Sequence, residues 1–424
     1  MENNPKKNSS IIQQTLIKFF LRITIGTYLL LLTAAKWFGP NIKRTQEREQ
    51  FDILLTGSFY ADNWLLSHIC PLATSKECSR VILVTNYAVP HLDKVEVIQP
   101  SKFLTKLLGL VPSRLITFFW IALRKKPQII GGFHLLFNGL AALLVAKCIG
   151  AQSMYFCVGG PTETLYGGRS ENRLFGKLEQ PDPLLTDWLL KAVSSFDQII
   201  TMGSRAIHYF QERGVQTRFN IVSGAINTQK FYPATQEDKI FDLILVARLS
   251  PVKCIDLFLQ VIHQLKFNFP LLKVAIIGDG PLLNKLEFQS KNFNIDKNVD
   301  FLGHQKDVET WLRKSKIFVL TSSSEGLALA MMEAMMCGLP AVVPHVGDLD
   351  NLVTNGINGF LITGRSPQEF ATRIQDLLID DDKLRSFSIA ASMSARRYSP
   401  ETITALWDNI LINLKSTPEH TNQK

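Results

Sequence analysis

The chain has 424 residues, with 46 Lys and Arg against 37 Asp and Glu and a formal net charge of +9. That length is long for one core and natural for two domains. Its six cysteines show no Cys-x-x-Cys spacing, which argues against a zinc framework and for a reduced cytosolic compartment.

The positive charge belongs to the N-terminal half: residues 1–230 hold 26 Lys and Arg against 15 acids, and residues 231–424 hold 20 against 22. The stretch 101–150 has seven basic residues and no acid, interleaved with Phe103, Leu107, Leu108, Phe118, Phe119 and Trp120. This is aliphatic bulk rather than a row of spaced stacking residues. It argues against nucleic acid as a partner and for an anionic membrane surface.

In chain order, residues 1–10 are polar and residues 11–38 mostly apolar, broken by Lys18, Arg22 and Lys36. The uninterrupted part, residues 23–35, is too short to span roughly 30 Å of hydrocarbon unaided. No small-x-small cleavage site marks a signal peptide. Residues 1–45 are therefore expected to form an interfacial or short membrane anchor, with a docked or disordered extension as the alternative. Residues 51–55 read as a strand leading into a loop at Gly57, and residues 140–148 as an apolar helix.

The C-terminal half repeats strand, turn and helix. Residues 241–247 form a predicted strand ending at Arg248 and Lys253, before a helix over 255–267. Residues 273–277 run into Gly278, and residues 299–302 into Gly303. Residues 316–320 lead to a serine-rich turn at Glu325, then a helix over 328–336. Strands alternating with helices predict a parallel sheet covered on both faces. Ligands bind beyond the carboxyl ends of such strands, where Arg248, Gly278, Gly303 and Glu325 all fall.

The residue types there suit a phosphate-bearing ligand. Arg248 and Lys253 are two cations close together, and a guanidinium matches phosphate oxygens bidentately. Gly326 and Leu327 open a helix whose free N–H groups favour an anion. Glu325 and Glu333 are the only acids between residues 321 and 340. A carboxylate on a helix of Ala, Leu and Met costs several kcal/mol if buried alone, so Glu333 is expected to meet a polar partner.

Taken in order, residues 247–253, 277–281, 301–304, the Glu325 to Glu333 spacing, residues 338–340 and residues 355–360 resemble the C-terminal domain of family 4 glycosyltransferases. These are retaining enzymes of the GT-B fold. The resemblance implies an α/β chain of two Rossmann-like, doubly wound parallel-sheet domains facing a cleft. The acceptor domain would cover residues 46–233, the nucleotide-sugar domain 240–405, and a helix end and tail 406–424.

Carried over by position, Arg248 and Lys253 would hold the donor diphosphate. Glu325 would bind the transferred sugar's hydroxyls and Glu333 the ribose hydroxyls, with Gly278, Gly303, His304, Gly326, Leu327 and Gly57 around the donor. His134 is the acceptor-side or donor-sugar candidate, while Glu163 reads as a solvated loop acid. Cys254 stands where the family usually has Gly, and Val158 where many relatives have a functional His.

The resemblance implies a nucleoside-diphosphate sugar as donor, a glycan or lipid-linked acceptor, no metal or other cofactor, and a place at the cytosolic face of a membrane. A noncatalytic sugar-nucleotide-binding protein and a sugar-nucleotide epimerase are the alternatives. No Gly-x-Gly-x-x-Gly fingerprint supports a dinucleotide oxidoreductase.

Overall fold

The computed structural model describes residues 5–40, 49–59, 62–165, 175–178, 180–234 and 239–415. Expectations for residues 1–4, 41–45, 235–238 and 416–424 lie outside this set. The chain forms two compact units, Met1–Ser223 with Thr404–Lys424, and Gly224–Ile403.

The first unit is built on a seven-stranded sheet. Its strands are β1 (Phe51–Thr56), β2 (Cys78–Val84), β3 (Val95–Ile98), β4 (Ile129–Phe133), β5 (Gln152–Cys157), β6 (Gln198–Thr201) and β7 (Arg218–Ile221). They run in the order β3-β2-β1-β4-β5-β6-β7, every pairing parallel. All six residues of β1 are buried, as a strand covered by helices on both faces requires.

Its helices are α1 (Pro5–Phe38), α2 (Asp62–Thr74), α3 (Lys102–Leu108), α4 (Leu110–Lys125), α5 (Leu140–Ile149), α6 (Pro183–Val193) and α7 (Ser204–Gln211). Right-handed crossovers put α2 on one face and α4 and α5 on the other, because the chain reverses direction across the sheet after β3. The chain also returns to this unit from Thr404. There Trp407 is buried 6.0 Å from Phe156, and Asp408 accepts from Ser75 Oγ at 2.6 Å.

The N-terminal segment departs from its reading as a short, broken apolar run. It is one continuous helix, whose stretch Gln13–Phe38 is long and apolar enough to cross a membrane. The interruptions are tolerated because they find partners: Arg22 binds both oxygens of Asp182 at 3.0 and 3.1 Å, and Lys36 reaches Ser195. Leu21, Ile25, Leu32 and Ala35 are buried at helical spacing in the core cluster of α5 and α6 or at its rim. The helix is docked along one face.

The second unit carries six parallel strands, β8 (Phe241–Val246), β9 (Val274–Ile277), β10 (Val299–Gly303), β11 (Ser315–Val319), β12 (Ala341–Pro344) and β13 (Gly359–Ile362). Their order is β10-β9-β8-β11-β12-β13. Helices α8 (Ile255–Leu265), α9 (Leu283–Asn292), α10 (Val308–Arg313), α11 (Leu329–Met336), α12 (Pro367–Leu378) and α13 (Asp381–Ala395) accompany them, and α14 (Pro400–Lys415) follows. The strands expected over 241–247, 273–277, 299–302 and 316–320 form within a residue or two of those bounds.

In the first unit His68 lies within an aromatic cluster, stacked on Trp64 with ring centroids 4.3 Å apart and edge-on to Phe133. Its Nδ1 meets Trp64 O at 2.8 Å and its Nε2 meets Met202 Sδ at 3.3 Å. Burial pushes its pKa down from 6.5 to about 4. The unfolded chain takes up this proton near 6.5, so the stability is present above that pH and lost as pH falls toward 4. The loss should reach about 3 kcal/mol. Urea unfolding at pH 7 and pH 4.5 should show that drop, and His68→Gln should flatten it; equal pH slopes in the two proteins would mean that His68 does not set it.

Candidate functional site

The loops at the carboxyl ends of β8 and β11 are fastened to each other. Thr321 Oγ1 donates to Lys253 O at 3.1 Å and to Cys254 O at 2.9 Å, and Ser323 N donates to Val252 O at 2.8 Å. This brings two predicted residues together: Lys253 Nζ lies 2.6 Å from Glu325 Oε1, with the Glu325 side chain only 8% exposed. Arg248, on the same β8 loop, is exposed and has no ion pair among the described residues. One cation is thus committed to a carboxylate and a second is open to an anion.

The neighbouring loops close around this pair. Gly278 N donates to Gly303 O at 2.8 Å, and a Cβ on Gly278 would lie 1.9 Å from Ala247 O, so the β9 loop sits directly on the end of β8. Gly347, at φ +57°, presses equally closely on Glu325 O, and Asp348 N donates to Gly326 O at 3.3 Å. His304 is exposed beside Gly303, while Gly326 and Leu327 are partly buried ahead of α11.

Cys254 has φ +45°, a left-handed backbone that Gly adopts freely and that costs a residue with a Cβ roughly 1–2 kcal/mol. The turn forms nonetheless, with Cys254 N donating to Pro251 O at 3.2 Å.

Two residues at this end escaped the sequence reading. Arg365, just beyond β13, donates to Ser322 O at 2.6 Å and Thr321 O at 3.2 Å, fixing the turn that carries Glu325. Ser322 Oγ is buried with no partner among the described residues. Position at the end of a strand was the available signal for Arg365.

Glu333 lies on α11 and is buried. The expected polar partner is missing, since among the described residues no hydrogen bond reaches its carboxylate. Burial, and then the nearby Glu309, raises its pKa to about 8.

His134 and Gly57 belong to the first unit, beyond β4 and β1, whose ends pair Thr56 with Gly132. His134 has φ +64°, and its Nδ1 lies 3.2 Å from Glu163 Oε1. Glu163 is fully buried rather than solvated. It accepts from Gly159 N at 2.6 Å, Leu135 N at 2.6 Å and Tyr155 OH at 2.7 Å as well. Its partners come from two strand ends, which its position in a loop did not reveal.

Comparison with known proteins bears on this geometry. Residues 227–393 match the family described as glycosyl transferases group 1. They form a glycosyl transferases group 1 domain.

An uncharacterized glycosyltransferase of Haemophilus influenzae is 30% identical over 224 residues, 52% of this chain and 62% of that protein. An Escherichia coli protein named UDP-Gal:alpha-D-GlcNAc-diphosphoundecaprenol alpha-1,3-galactosyltransferase is 29% identical over 39% of this chain and 46% of its own length. The chain thus spans less than two thirds of either relative.

Among solved structures, Anabaena HepE in complex with UDP superposes with a TM-score of 0.67 at 18% identity, over 86% of this chain and 100% of that one. Sucrose-phosphate synthase from Thermosynechococcus elongatus gives 0.69 at 16% identity, over 86% and 98%. With the two parallel sheets, these likenesses show the GT-B fold.

The Glu333 environment makes a prediction about stability. Its folded pKa lies above the unfolded value of 4.5, so its burial costs nothing at low pH and progressively more as pH rises toward 8. Without ligand, Glu333→Gln should match the parent near pH 5 and exceed it by about 3 kcal/mol or more above pH 8. Thermal melts across that range read the difference; a variant less stable at every pH would point to a hidden partner for the carboxylate.

Proposed function

We propose that the chain is a retaining glycosyltransferase of family 4. It moves a sugar from a nucleoside-diphosphate sugar to a hydroxyl of a glycan or lipid-linked acceptor at the cytosolic face of a membrane. The observation that carries this reading is the Lys253–Glu325 pair at 2.6 Å with Arg248 open beside it, set in a group 1 domain. A diphosphate would be held by these two cations, and Glu325 would then accept from hydroxyls of the transferred sugar. Glu333, without a donor of its own, suits two ribose hydroxyls.

In the proposed reaction the bond from the anomeric carbon to the diphosphate oxygen breaks. The acceptor oxygen bonds to that carbon on the same face, and the acceptor proton passes to the departing phosphate. No dedicated base is then needed. Charge grows on the diphosphate as the bond breaks, where preorganised cations contribute most. The name of the Escherichia coli relative, with its UDP-sugar donor and lipid-diphosphate acceptor, supports the donor and acceptor classes. Val158, standing where many relatives have His, favours a second reading, a noncatalytic sugar-nucleotide-binding protein.

Arg248→Ala should lower transfer by about 100-fold, close to the 3 kcal/mol expected for one lost oxyanion-stabilising donor. It is a cleaner test than Lys253→Ala, which also leaves Glu325 unpaired. Glu325→Gln should reduce turnover more than nucleotide affinity, and Glu333→Gln the affinity itself. Kinetics and calorimetry with UDP-, GDP-, ADP- and dTDP-sugars check this; donor binding with no transfer to any membrane-extract acceptor would favour the noncatalytic reading.

The proposed enzyme needs no metal, because Arg248, Lys253 and the N-terminus of α11 supply the positive charge that Mg²⁺ provides elsewhere. Transfer should persist in EDTA. Loss of activity that Mg²⁺ or Mn²⁺ restores would remove this part of the reading.

A further inference from the structure

The helix α3 is the least explained element of the first unit. It contains Phe103, Leu104, Leu107 and Leu108, yet buries none of its residues. Phe103 is 77% exposed and Leu107 67%. The next helix continues the pattern, with Leu110, Ile116, Phe119, Trp120 and Leu123 all exposed. A short helix does not hold together in water by propensity alone, and α3, which packs on α4 where Thr105 meets Ser113, still leaves Phe103 and Leu107 uncovered among the described residues.

A second such face runs along α1. While Leu21, Ile25 and Leu32 point into the unit, Leu16, Phe19, Phe20, Ile23, Leu30 and Leu31 lie on the opposite side and are exposed. The two faces lie on the same side of the sheet, because α5 packs against both α1 and α4.

The charge pattern of this layer selects its covering. Neither α1, α3 nor α4 contains a single Asp or Glu. Not all of the basic residues are available: Arg114 is buried against Asn86 and Asn138, and Lys125 is held by Glu96 at 2.6 Å. Lys102, Lys106, Arg124 and Lys126 remain exposed at the rim. Apolar side chains flanked by these cations, on helices that carry no carboxylate of their own, match an anionic lipid leaflet, with headgroups at the rim and acyl chains under the apolar face. Two copies of the same surface would repel each other.

How α1 is held decides its orientation. Gln14 donates to Lys177 O at 3.0 Å, Arg22 binds Asp182, Tyr28 OH donates to Leu140 O at 3.0 Å, and Lys36 Nζ reaches Ser195 Oγ at 2.8 Å. These anchors are spread over about 33 Å of helix, so the whole apolar length lies against the unit. A helix so held cannot cross a bilayer.

We propose that α1, α3 and α4 form a monotopic membrane face, on which α1 lies in the plane of an anionic leaflet and α3 dips into it. This rests on the membrane association proposed above and names its geometry. It also links that face to the candidate acceptor side: Tyr28 of α1 bonds to Leu140, and the turn before Leu140 closes through Gly139 N donating to His134 O at 2.8 Å. An acceptor carried by a lipid would arrive at the same layer.

The test is flotation of the full chain with vesicles of phosphatidylcholine containing one quarter phosphatidylglycerol, at low salt, with light scattering alongside. Phe103→Glu with Leu107→Glu changes largely exposed residues and should leave the melting temperature unchanged. It should lower the floated fraction about tenfold. Leu16→Glu with Phe20→Glu should do the same. Phe267→Glu with Leu271→Glu, equally exposed in the second unit, should not. If the full chain fails to float, the membrane reading itself is wrong. If it floats and the α3 variant floats equally, α1 holds the membrane alone and the proposed face is overturned. If the α3 variant instead turns a dimer into a monomer with flotation unchanged, the surface belongs to a second copy.

Discussion

The ion pair between Lys253 and Glu325 ties the candidate site together, because it joins loops from two strands that are adjacent in the sheet but 72 residues apart in the chain. Glu325 is nearly enclosed, so removing Lys253 would leave a buried carboxylate without its ion-pair partner. The backbone is arranged to keep it so: Thr321 and Ser323 hold the β11 loop on the β8 loop, Arg365 holds the turn from the other side, and Gly347 leaves room for nothing larger. On the function proposed here, an arriving diphosphate would compete for Lys253 and release part of the hold on Glu325. The carboxylate would then turn to the sugar. Donor binding and the readying of Glu325 would be a single event.

Two buried carboxylates show how differently a fold can treat the same group. Glu163 is met by two backbone N–H groups, a tyrosine hydroxyl and a histidine nitrogen, so both of its oxygens have partners within the protein. It holds the His134 loop in its left-handed turn and contributes to structure. Glu333 is buried with no hydrogen bond to its carboxylate among the described residues and with a second acid, Glu309, nearby, and its pKa is raised to about 8. A group kept at such a cost to stability is the kind found at functional sites. The contrast separates the two more sharply than their sequence contexts, since both sit in stretches poor in other charge.

What the sequence made legible was local. The strands of the second unit, the glycines at their ends and the position of Glu325 before α11 follow from apolar runs and turn residues, which depend on near neighbours. What it hid was every feature set by a partner far along the chain. Asp182 answers Arg22 from 160 residues away, which turns an interrupted apolar segment into one helix. Glu96, Asn138 and Asp197 remove Lys125, Arg114 and Lys147 from the basic run, so fewer free cations face outward than a count of charges implies. Glu163 read as a loop acid because the strand ends that surround it are brought together only by the sheet.

The same reasoning explains why the charged residues of α1 do not contradict an apolar outer face. Lys18, Arg22 and Lys36 break the apolar run when it is read along the line, but on a helix they fall together near the docked side. Arg22 and Lys36 are used there to fasten it. The side opposite the unit is left with Leu16, Phe20, Ile23 and Leu30. A linear hydropathy reading averages the two sides and sees a weak anchor; the helix separates them, giving one side polar grips on the protein and the other a mostly apolar surface that carries no charge. Docking and apolar exposure are therefore two results of one periodicity, and the residues that shorten the apparent span are those that keep the helix from spanning.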